Sequence, residues 1–459
     1  MTKTDLNFDI LERFSSRCLL GHVPDTVIEQ AKLCILDTIG CMISGHQTAE
    51  VSMLVNSTPP ESQGTVPVIG SGMCLDMMNA ARVNGYAGDI LELNDLIGGH
   101  ASIGNVTAAI AAACDRNSSG KILLEAVIRG IEVTSKIYSR IYPTLKPFGQ
   151  VGLVPVGLPS SVGAAAAVSH HMGLTPGQTQ EAMAIAASLA GWCPAEVIFR
   201  QGGTVKPMLF GAQPAMTAIA AVQYALAGMT GPRRLLEGEF GYYATVATAD
   251  GTPGDPLQAQ WALAKPSRKL HACCGYIHAA VDAISQLSDT VKGDLSDYDI
   301  TIELPAYVHA AVSKHVPPAT PNEARFDLRY CAALAVCGNT VILPEHSLMF
   351  PEYLEREQTR RALAKIKTRS NESLTHYQHC IVTARSDDCD KTHTLDFRTP
   401  RGGLDNAMSE SEVIEKFYRL VSHCMTAEQS KAYADRMMSL EKSESIGWIG
   451  KLARPVAQH

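Results

Sequence analysis

Residues 175–192 read TPGQTQEAMAIAASLAGW, and this stretch decides the fold class. Thr175 followed by Pro176 is typical of an N-cap and a first helical position. Behind them Met183 and Ala187 lie one turn apart on an apolar, alanine-rich face. Because alanine-rich faces let helices approach closely, the stretch predicts a tightly packed helical bundle.

The same apolar spacing of three and four residues runs through residues 5–228. The pattern then changes, because YDITIELPAYV (residues 298–308) and HCIVTARSDDCDKTHTLDF (residues 379–397) alternate in the period of a strand. Helical spacing returns over residues 409–438. The C-terminal segment is therefore expected to pack on the N-terminal helices.

A chain of 459 residues with 46% hydrophobic and 19% charged residues is long enough for more than one domain. We predict a mainly α fold with a large all-helical domain formed by both chain ends, residues 1–264 and 401–459. A smaller α+β domain is expected over residues 265–400.

Composition and charge exclude several classes of partner. The net charge of -7, with no run of Lys and Arg, argues against nucleic acid. The most apolar stretch, residues 157–168, is too short to cross a membrane. No targeting segment is visible at the N-terminus, so a cytoplasmic location is expected. The 13 cysteines include no C-x-x-C pair, which predicts reduced thiols and no iron–sulfur cluster.

Ionisable side chains surround a glycine pair in DILELNDLIGGHASIGN, residues 89–105. Glycines let the backbone turn sharply and approach a ligand, so this segment predicts an acid–base site. His100 follows the pair, and Asp95 is expected to orient its ring. The alternative is an ordinary loop whose Asp and Asn side chains cap the next helix.

Two further segments carry residues suited to a site. In QGGTVKP (residues 201–207), Lys206 is suited to holding a carboxylate as a point charge, although most lysines are simply exposed. KLHACCGYIH (residues 269–278) permits a metal site, a Cys–His nucleophile pair, or a His base beside structural thiols. Metal ligation is disfavoured because adjacent cysteines do not easily share one tetrahedral site.

Taken together, these segments resemble the MmgE/PrpD family, which includes 2-methylcitrate dehydratase and cis-aconitate decarboxylase. The family tract L-D-x-N-D-T-W, followed by G-H-P-S, resembles residues 91–97 and 99–102. Its tract ending in V-K-P resembles residues 201–207, and K-x-Y-x-C-C-x-x-x-H resembles residues 269–278. Further similarity lies around residues 231–241 and 324–330. The resemblance therefore spans nearly the whole chain.

The resemblance implies that the α+β domain is a lid over a cleft, that the protein is a homodimer, and that no metal or organic cofactor is needed. It implies four catalytic residues, Asp95, His100, His278 and Tyr330. It implies five substrate-binding residues, Glu92, Asn94, Ser102, Lys206 and Cys274. The substrate would be a small carboxylic acid.

The chain departs from the family motifs at several positions. The Thr of the D-T motif is Leu96, the Pro after the motif His is Ala101, and the His-Gly pair after Lys206 reads Phe210 and Gly211. A His that many members carry near residues 148–157 has no counterpart, so three polar positions have become apolar. These changes predict a pocket that accepts less charge or more hydrocarbon than citrate-like acids present.

Dehydration of a 2-methylcitrate- or alkylcitrate-like acid is the leading hypothesis for the reaction, by proton abstraction next to a carboxylate. The alternatives are decarboxylation of a cis-aconitate-like acid, epimerisation of an imino-dicarboxylate, and a non-catalytic homologue that binds a small acid.

Overall fold

The structure is a computed structural model that describes residues 6–200, 203–248, 260–291, 294–386 and 391–450. The elements before residue 260 are α1 (Asn7–Ser15), α2 (Asp25–Gly45), α3 (Ala49–Asn56), β1 (Gln63–Pro67), β2 (Cys74–Leu75), α4 (Met77–Asp89), α5 (Ala101–Asp115), α6 (Gly120–Ile141), α7 (Phe148–Val151), α8 (Gly157–Met172), α9 (Pro176–Leu189), α10 (Ala195–Phe199), α11 (Ala212–Leu226) and α12 (Tyr242–Val246).

The second part of the chain carries shorter helices and a sheet. Its elements are α13 (His278–Thr290), β3 (Asp299–Leu304), α14 (Ala306–Val312), α15 (Pro321–Arg325), α16 (Leu328–Val336), α17 (Pro344–Leu348), α18 (Phe350–Glu355), α19 (Glu357–Lys365), β4 (Ile366–Ser370), β5 (Cys380–Arg385), β6 (Thr392–Phe397), α20 (Glu410–Val421) and α21 (Ala427–Met437).

The helix predicted from residues 175–192 is present as α9. Thr175 accepts a hydrogen bond from the Gln178 backbone, and the Gln178 side chain binds the Thr175 backbone in return. This reciprocal cap satisfies backbone groups that the first helical turn leaves unpaired. Helix α9 packs on α8 and α11, which themselves contact each other. The expected close-packed helices are therefore confirmed.

A four-stranded mixed sheet has the order β4-β3-β5-β6. Strands β3 and β4 are parallel, whereas β5 is antiparallel to both β3 and β6. Ile300 and Ile302 of β3 and Val382 of β5 point to one buried face. Helices α13 and α16 pack against each other and against this sheet. The strands predicted within residues 298–308 and 379–397 are thus present, although residues 387–390 lie outside the described part.

The predicted division into an all-helical domain and a separate α+β domain is wrong. Strands β1 and β2 form an antiparallel pair inside the stretch expected to be all-helical. One buried apolar cluster joins Ile35 and Leu124 of that stretch to Val281 and Val382 of the other. The hydrophobic core therefore does not divide where the sequence pattern changes. The described chain is a mostly helical fold with a small mixed sheet.

The two short strands escaped prediction for a physical reason. Strand β1 has five residues and β2 has two, with a register shift between Gln63 and Val66. A pair this short shows no alternation that distinguishes it from a loop. None of the described helices is both long and apolar enough to cross a membrane.

A buried lysine ties the C-terminal part of the chain to the rest of the fold. Lys416 of α20 is 2% exposed and donates to the carbonyls of Leu93 and Lys269 at 2.8 and 2.9 Å. Its ammonium also lies 2.7 Å from Asp37 Oδ1 on α2. One cation therefore fixes α2, the loop after α4 and the segment before α13 relative to one another.

Replacing Lys416 by Met is expected to lower the free energy of unfolding by about 3–5 kcal/mol, because the buried carboxylate of Asp37 would lose its partner. Urea unfolding followed by circular dichroism measures the loss. The double variant Lys416→Met with Asp37→Leu removes both charges and should regain part of it.

The matched control is Lys431→Met. Lys431 pairs with Asp435 at 2.8 Å on α21, where both side chains are exposed, so its replacement should change stability little. Equal losses in the Lys416 and Lys431 variants would contradict the role given to Lys416.

Candidate active site

The loop between α4 and α5 carries most of the predicted side chains. Its backbone is left-handed at Glu92 (φ 53°) and again at Gly98, Gly99 and His100 (φ 49°, 71° and 71°). A Cβ atom at Gly99 would lie 2.7 Å from Cε2 of Tyr138, so only glycine fits there. Non-glycine residues adopt such angles where surrounding packing holds them, which is frequent at functional sites.

Two buried lysines share the carboxylate of Glu92. Lys269 Nζ lies 2.8 Å from Glu92 Oε2 and 3.0 Å from the Glu92 carbonyl oxygen. Lys206 contacts the other carboxylate oxygen of Glu92 and lies 3.3 Å from Asp89 Oδ2. Both lysines are 0% exposed. The cluster thus holds two cations and two anions, which follows the rule that buried charges are paired.

Burial lowers the pKa of Lys206 to about 8, and Asp89 opposes this effect. Burial also lowers the pKa of Lys269. The Lys206 ammonium lies 4.8 Å from the ring centroid of Phe210 and 5.2 Å from that of Phe326, so aromatic faces replace part of its hydration. Both lysines therefore release a proton more easily than an exposed lysine does.

An asparagine connects His100 to this charged cluster. Asn94 Nδ2 donates to Asp89 Oδ1 at 2.5 Å, which leaves Asn94 Oδ1 to accept from His100 Nδ1 at 2.8 Å. An ionised carboxylate can only accept, so the network assigns the proton of His100 to Nδ1. The other ring nitrogen, Nε2, then presents a lone pair.

The imidazole of His100 is held neutral. Burial lowers its pKa well below the ordinary value, and the charge of Lys269 lowers it further, while the Asp95 backbone opposes both. The ring stacks on Phe210 with centroids 5.1 Å apart and an interplanar angle of 25°. In the free protein at neutral pH, His100 is therefore suited to accept a proton at Nε2.

Asp95 is close to His100 in sequence, but its carboxylate binds Ser102. The Ser102 backbone nitrogen lies 3.5 Å from Asp95 Oδ1, and the Ser102 hydroxyl contacts Oδ2. Ser102 lies in the first turn of α5, so Asp95 stabilises a helix N-terminus. Burial raises the pKa of Asp95 to about 6. The expected orientation of the His100 ring by Asp95 is replaced by the contact with Asn94.

His278 and Tyr330 are buried at a distance from this loop. His278 Nε2 lies 3.4 Å from the Cys273 carbonyl oxygen, and its ring meets that of His271 edge-on with centroids 4.8 Å apart. The Tyr330 hydroxyl donates to the His346 carbonyl at 2.5 Å. The structure does not bring these two side chains to the cavity beside the loop, and their catalytic role stays a prediction.

A cavity of about 490 Å³ opens beside the loop. Its volume lies within the ~300–1,000 Å³ that is usual for small-molecule sites. Among the predicted residues, Glu92, His100 and Cys274 line it. The predicted residues Asn94, Asp95, Ser102 and Lys206 do not line the cavity.

Cys274 contributes a thiol that is 7% exposed at the cavity wall. Burial raises the pKa of this thiol, although Lys269 opposes the shift. A thiol rather than a thiolate therefore faces the cavity, which disfavours the Cys–His nucleophile pair considered above. The backbone of Cys274 donates to the Arg325 carbonyl at 2.9 Å, so the residue also holds two segments together.

His271 makes structural hydrogen bonds with both ring nitrogens. Its Nδ1 accepts from the Ile342 backbone at 3.2 Å, and its Nε2 lies 2.9 Å from Asp282 Oδ1. Across the described residues, no three His, Cys, Asp or Glu side chains are grouped so that they could hold a metal ion.

One face of α6 lines the cavity and was not anticipated from the sequence. This face consists of Glu132, Ser135, Lys136 and Ser139. Glu132 accepts from the Leu263 backbone at 2.8 Å, and burial raises its pKa. The signal that could have identified this face is the spacing of its polar residues, which follow Glu132 by three, four and seven positions on an otherwise apolar helix.

We expect nuclear magnetic resonance of ¹⁵N-labelled histidine to show His100 as the neutral Nδ1–H form at pH 7 and at about pH 6, because burial and Lys269 lower its pKa. The signal is assigned by its loss in His100→Gln. Asn94→Leu removes the acceptor and should abolish the preference for Nδ1–H.

The control is Asn371→Leu, since Asn371 donates to Glu303 at 2.7 Å on the sheet and does not contact His100. A doubly protonated His100 at pH 7, or an unchanged tautomer in Asn94→Leu, would show that this network is misassigned.

Comparison with known proteins places the chain among characterised relatives. Cis-aconitate decarboxylase of Aspergillus terreus (strain NIH 2624 / FGSC A1156) is 24% identical over 94% of this chain and 93% of its own length. The human cis-aconitate decarboxylase is 25% identical over 93% of this chain and 87% of its own. The cis-aconitate decarboxylase-like protein oryM of Aspergillus oryzae is 23% identical over 93% and 92%.

The comparison with protein families confirms the resemblance drawn from the motifs. Residues 10–253 match the MmgE/PrpD N-terminal domain, and residues 271–441 match the MmgE/PrpD C-terminal domain. The N-terminal match includes the loop that carries Glu92 and His100 and the segment of Lys206, and the C-terminal match begins two residues after Lys269. The chain belongs to the MmgE/PrpD family.

Proposed function

We propose that this protein is a lyase that removes carbon dioxide from a small acid resembling cis-aconitate, without a metal or organic cofactor. The proposal rests on one observation, the apolar surroundings of His100. Leu96 and Phe210 line the cavity beside this neutral imidazole, at positions where the resembled family motifs carry Thr and His. The relatives named above are cis-aconitate decarboxylases.

An apolar wall favours decarboxylation for an electrostatic reason. A carboxylate placed against Leu96 and Phe210 loses hydration, whereas the carbon dioxide that it becomes carries no charge. The carbon–carbon bond breaks and its electron pair stays on the substrate, where it spreads toward a remaining carboxylate. A proton then adds to carbon and completes the product.

His100 is the residue placed to supply this proton. It is neutral in the free protein, but an anionic acid bound beside it raises the pKa of the ring. The imidazole then takes up one proton from solvent at Nε2 and delivers it to carbon. Each turnover consumes one proton and releases one carbon dioxide.

Cations around the cavity serve two purposes in this proposal. Among the described residues, two basic side chains line the cavity, Lys136 and Lys265. Both are suited to bind substrate carboxylates. Lys206 and Lys269 both pair with the carboxylate of Glu92, which lines the cavity. The substrate-binding role expected for Lys206 therefore acts through Glu92.

Dehydration of a 2-methylcitrate- or alkylcitrate-like acid is the second candidate. The neutral state of His100 favours it, since a free Nε2 lone pair can remove a proton next to a carboxylate. The homodimer and the cytoplasmic location expected from the sequence stay predictions.

Incubation with cis-aconitate, with 2-methylcitrate and with an imino-dicarboxylate in deuterated water tests these reactions. We expect carbon dioxide and one deuterium on carbon of the product, read by mass spectrometry. An unsaturated acid without carbon dioxide identifies the dehydratase instead. Deuterium exchange without net change would indicate an epimerase, and no reaction would indicate a binding protein; either result contradicts the proposal.

His100→Gln should lower turnover by about 10²-fold or more, the usual scale for a general acid or base, with an unchanged melting temperature. The matched control is His423→Gln. His423 is exposed, its ring forms a 3.1 Å hydrogen bond with the Gln47 side chain, and both residues are distant in sequence from the loop between α4 and α5. Near-normal turnover in His100→Gln would remove this residue from the mechanism.

A further inference from the structure

The cavity continues beyond the loop between two walls of aromatic side chains, here called the aromatic arm. The arm consists of Tyr138, Tyr142, Phe199, Tyr276 and Tyr377. We infer that it binds a hydrocarbon chain of several carbons, carried by the acid whose carboxylates lie at the loop. The inference rests on the proposed function for the position of the acid.

The first wall begins at His100 and ends at the protein surface. Tyr138 packs against Gly99, the residue before His100, as shown by the 2.7 Å approach of a Cβ atom built there. Tyr138 stacks on Tyr142 with centroids 5.6 Å apart and an interplanar angle of 29°. Tyr142 follows α6 directly and is 37% exposed. This wall therefore leads from the reacting groups to solvent.

The second wall begins at Leu96. A Cβ atom at Gly275 would lie 3.0 Å from Leu96 Cδ2, so the leucine occupies the space that a side chain would need. The next residue, Tyr276, stacks on Phe199 with centroids 5.9 Å apart and planes at 12°. Its centroid lies 5.8 Å from that of Tyr377. Leu96 and the rings thus form one continuous apolar surface.

The chemistry of these walls selects hydrocarbon over a further charged group. Burial raises the pKa of Tyr142 to about 12 and raises the pKa of Tyr138, Tyr276 and Tyr377 as well, so every ring is neutral. A carboxylate against the faces of such rings would lose hydration and gain no opposite charge from them, since a tyrosine hydroxyl is a neutral donor. A chain of methylene groups gains free energy from the same burial.

The size of the cavity agrees with this chemistry. Its volume of about 490 Å³ falls in the range that buries drug-sized ligands, and an acid with only a few carbons would leave the outer part filled by water. Val154, Val156 and Ile198 extend the apolar lining. Expelling water from rings and aliphatic groups is the gain that a longer substrate would realise.

Binding of 2-alkylsuccinates with methyl, butyl, hexyl and octyl chains, measured by isothermal titration calorimetry, tests the inference. Each methylene that enters the arm should tighten Kd about fourfold, so hexylsuccinate should bind on the order of 10³ more tightly than methylsuccinate. A Kd that is independent of chain length, or that weakens with it, would overturn the inference.

Tyr142→Ser opens the outer end of the first wall and should reduce the advantage of hexylsuccinate at least tenfold. Tyr224→Ser is the matched control, because Tyr224 is 41% exposed on α11 and does not line the cavity. An unchanged advantage in Tyr142→Ser, or an equal loss in both variants, would contradict the placement of the chain between these rings.

The binding series is independent of turnover, so the two proposals fail separately. A chain-length gain without reaction of any acid retains the arm and rejects the lyase. Release of carbon dioxide from cis-aconitate without a chain-length gain retains the lyase and rejects the arm.

Discussion

The pairing of buried charge around Glu92 is the constraint on which the site depends. A carboxylate without solvent must be matched by cations, and the two that match it, Lys206 and Lys269, come from segments far apart in the chain. Each of these lysines is itself stable in the interior only because Glu92 and Asp89 are there. The loop, the turn before α11 and the segment before α13 therefore reach their positions together.

Lys416 extends the same constraint to the C-terminus. It donates to the backbone carbonyls of Leu93 and Lys269. Leu93 directly follows Glu92, and Lys269 is one of the two lysines that pair with Glu92. Backbone groups in an irregular buried loop have no helix or strand partners, so an ammonium that satisfies two of them replaces regular structure. This explains how a loop containing left-handed residues is held without flanking sheet.

Local signals in the sequence were sufficient for the helices and the longer strands, since a cap such as Thr175 with Gln178 acts within one turn. The motif residues Glu92, His100 and Cys274 line one cavity, and their catalytic and binding roles stay predictions. Contacts that depend on the third dimension were not predictable. Asp95 and Asn94 are neighbours, and either could have contacted His100. Asp95 instead binds Ser102 in the first turn of α5, so Asn94 is the residue that contacts His100. The continuous core and the α6 face likewise depend on packing between distant segments.

The electrostatics around His100 have a consequence for how a substrate is used. Two ammonium groups cancel the charges of Glu92 and Asp89, so the loop offers His100 no net negative charge that would hold a proton on the ring. In the proposed decarboxylation, an entering acid brings that charge itself. The proton on His100 is then present only while the anion is bound, because each stabilises the other by the same free energy. In the proposed decarboxylation, carbon is protonated from a ring that was charged by the substrate. When carbon dioxide leaves, the negative charge stays on the substrate with the electron pair of the broken bond, and it is neutralised when that carbon takes the proton from His100.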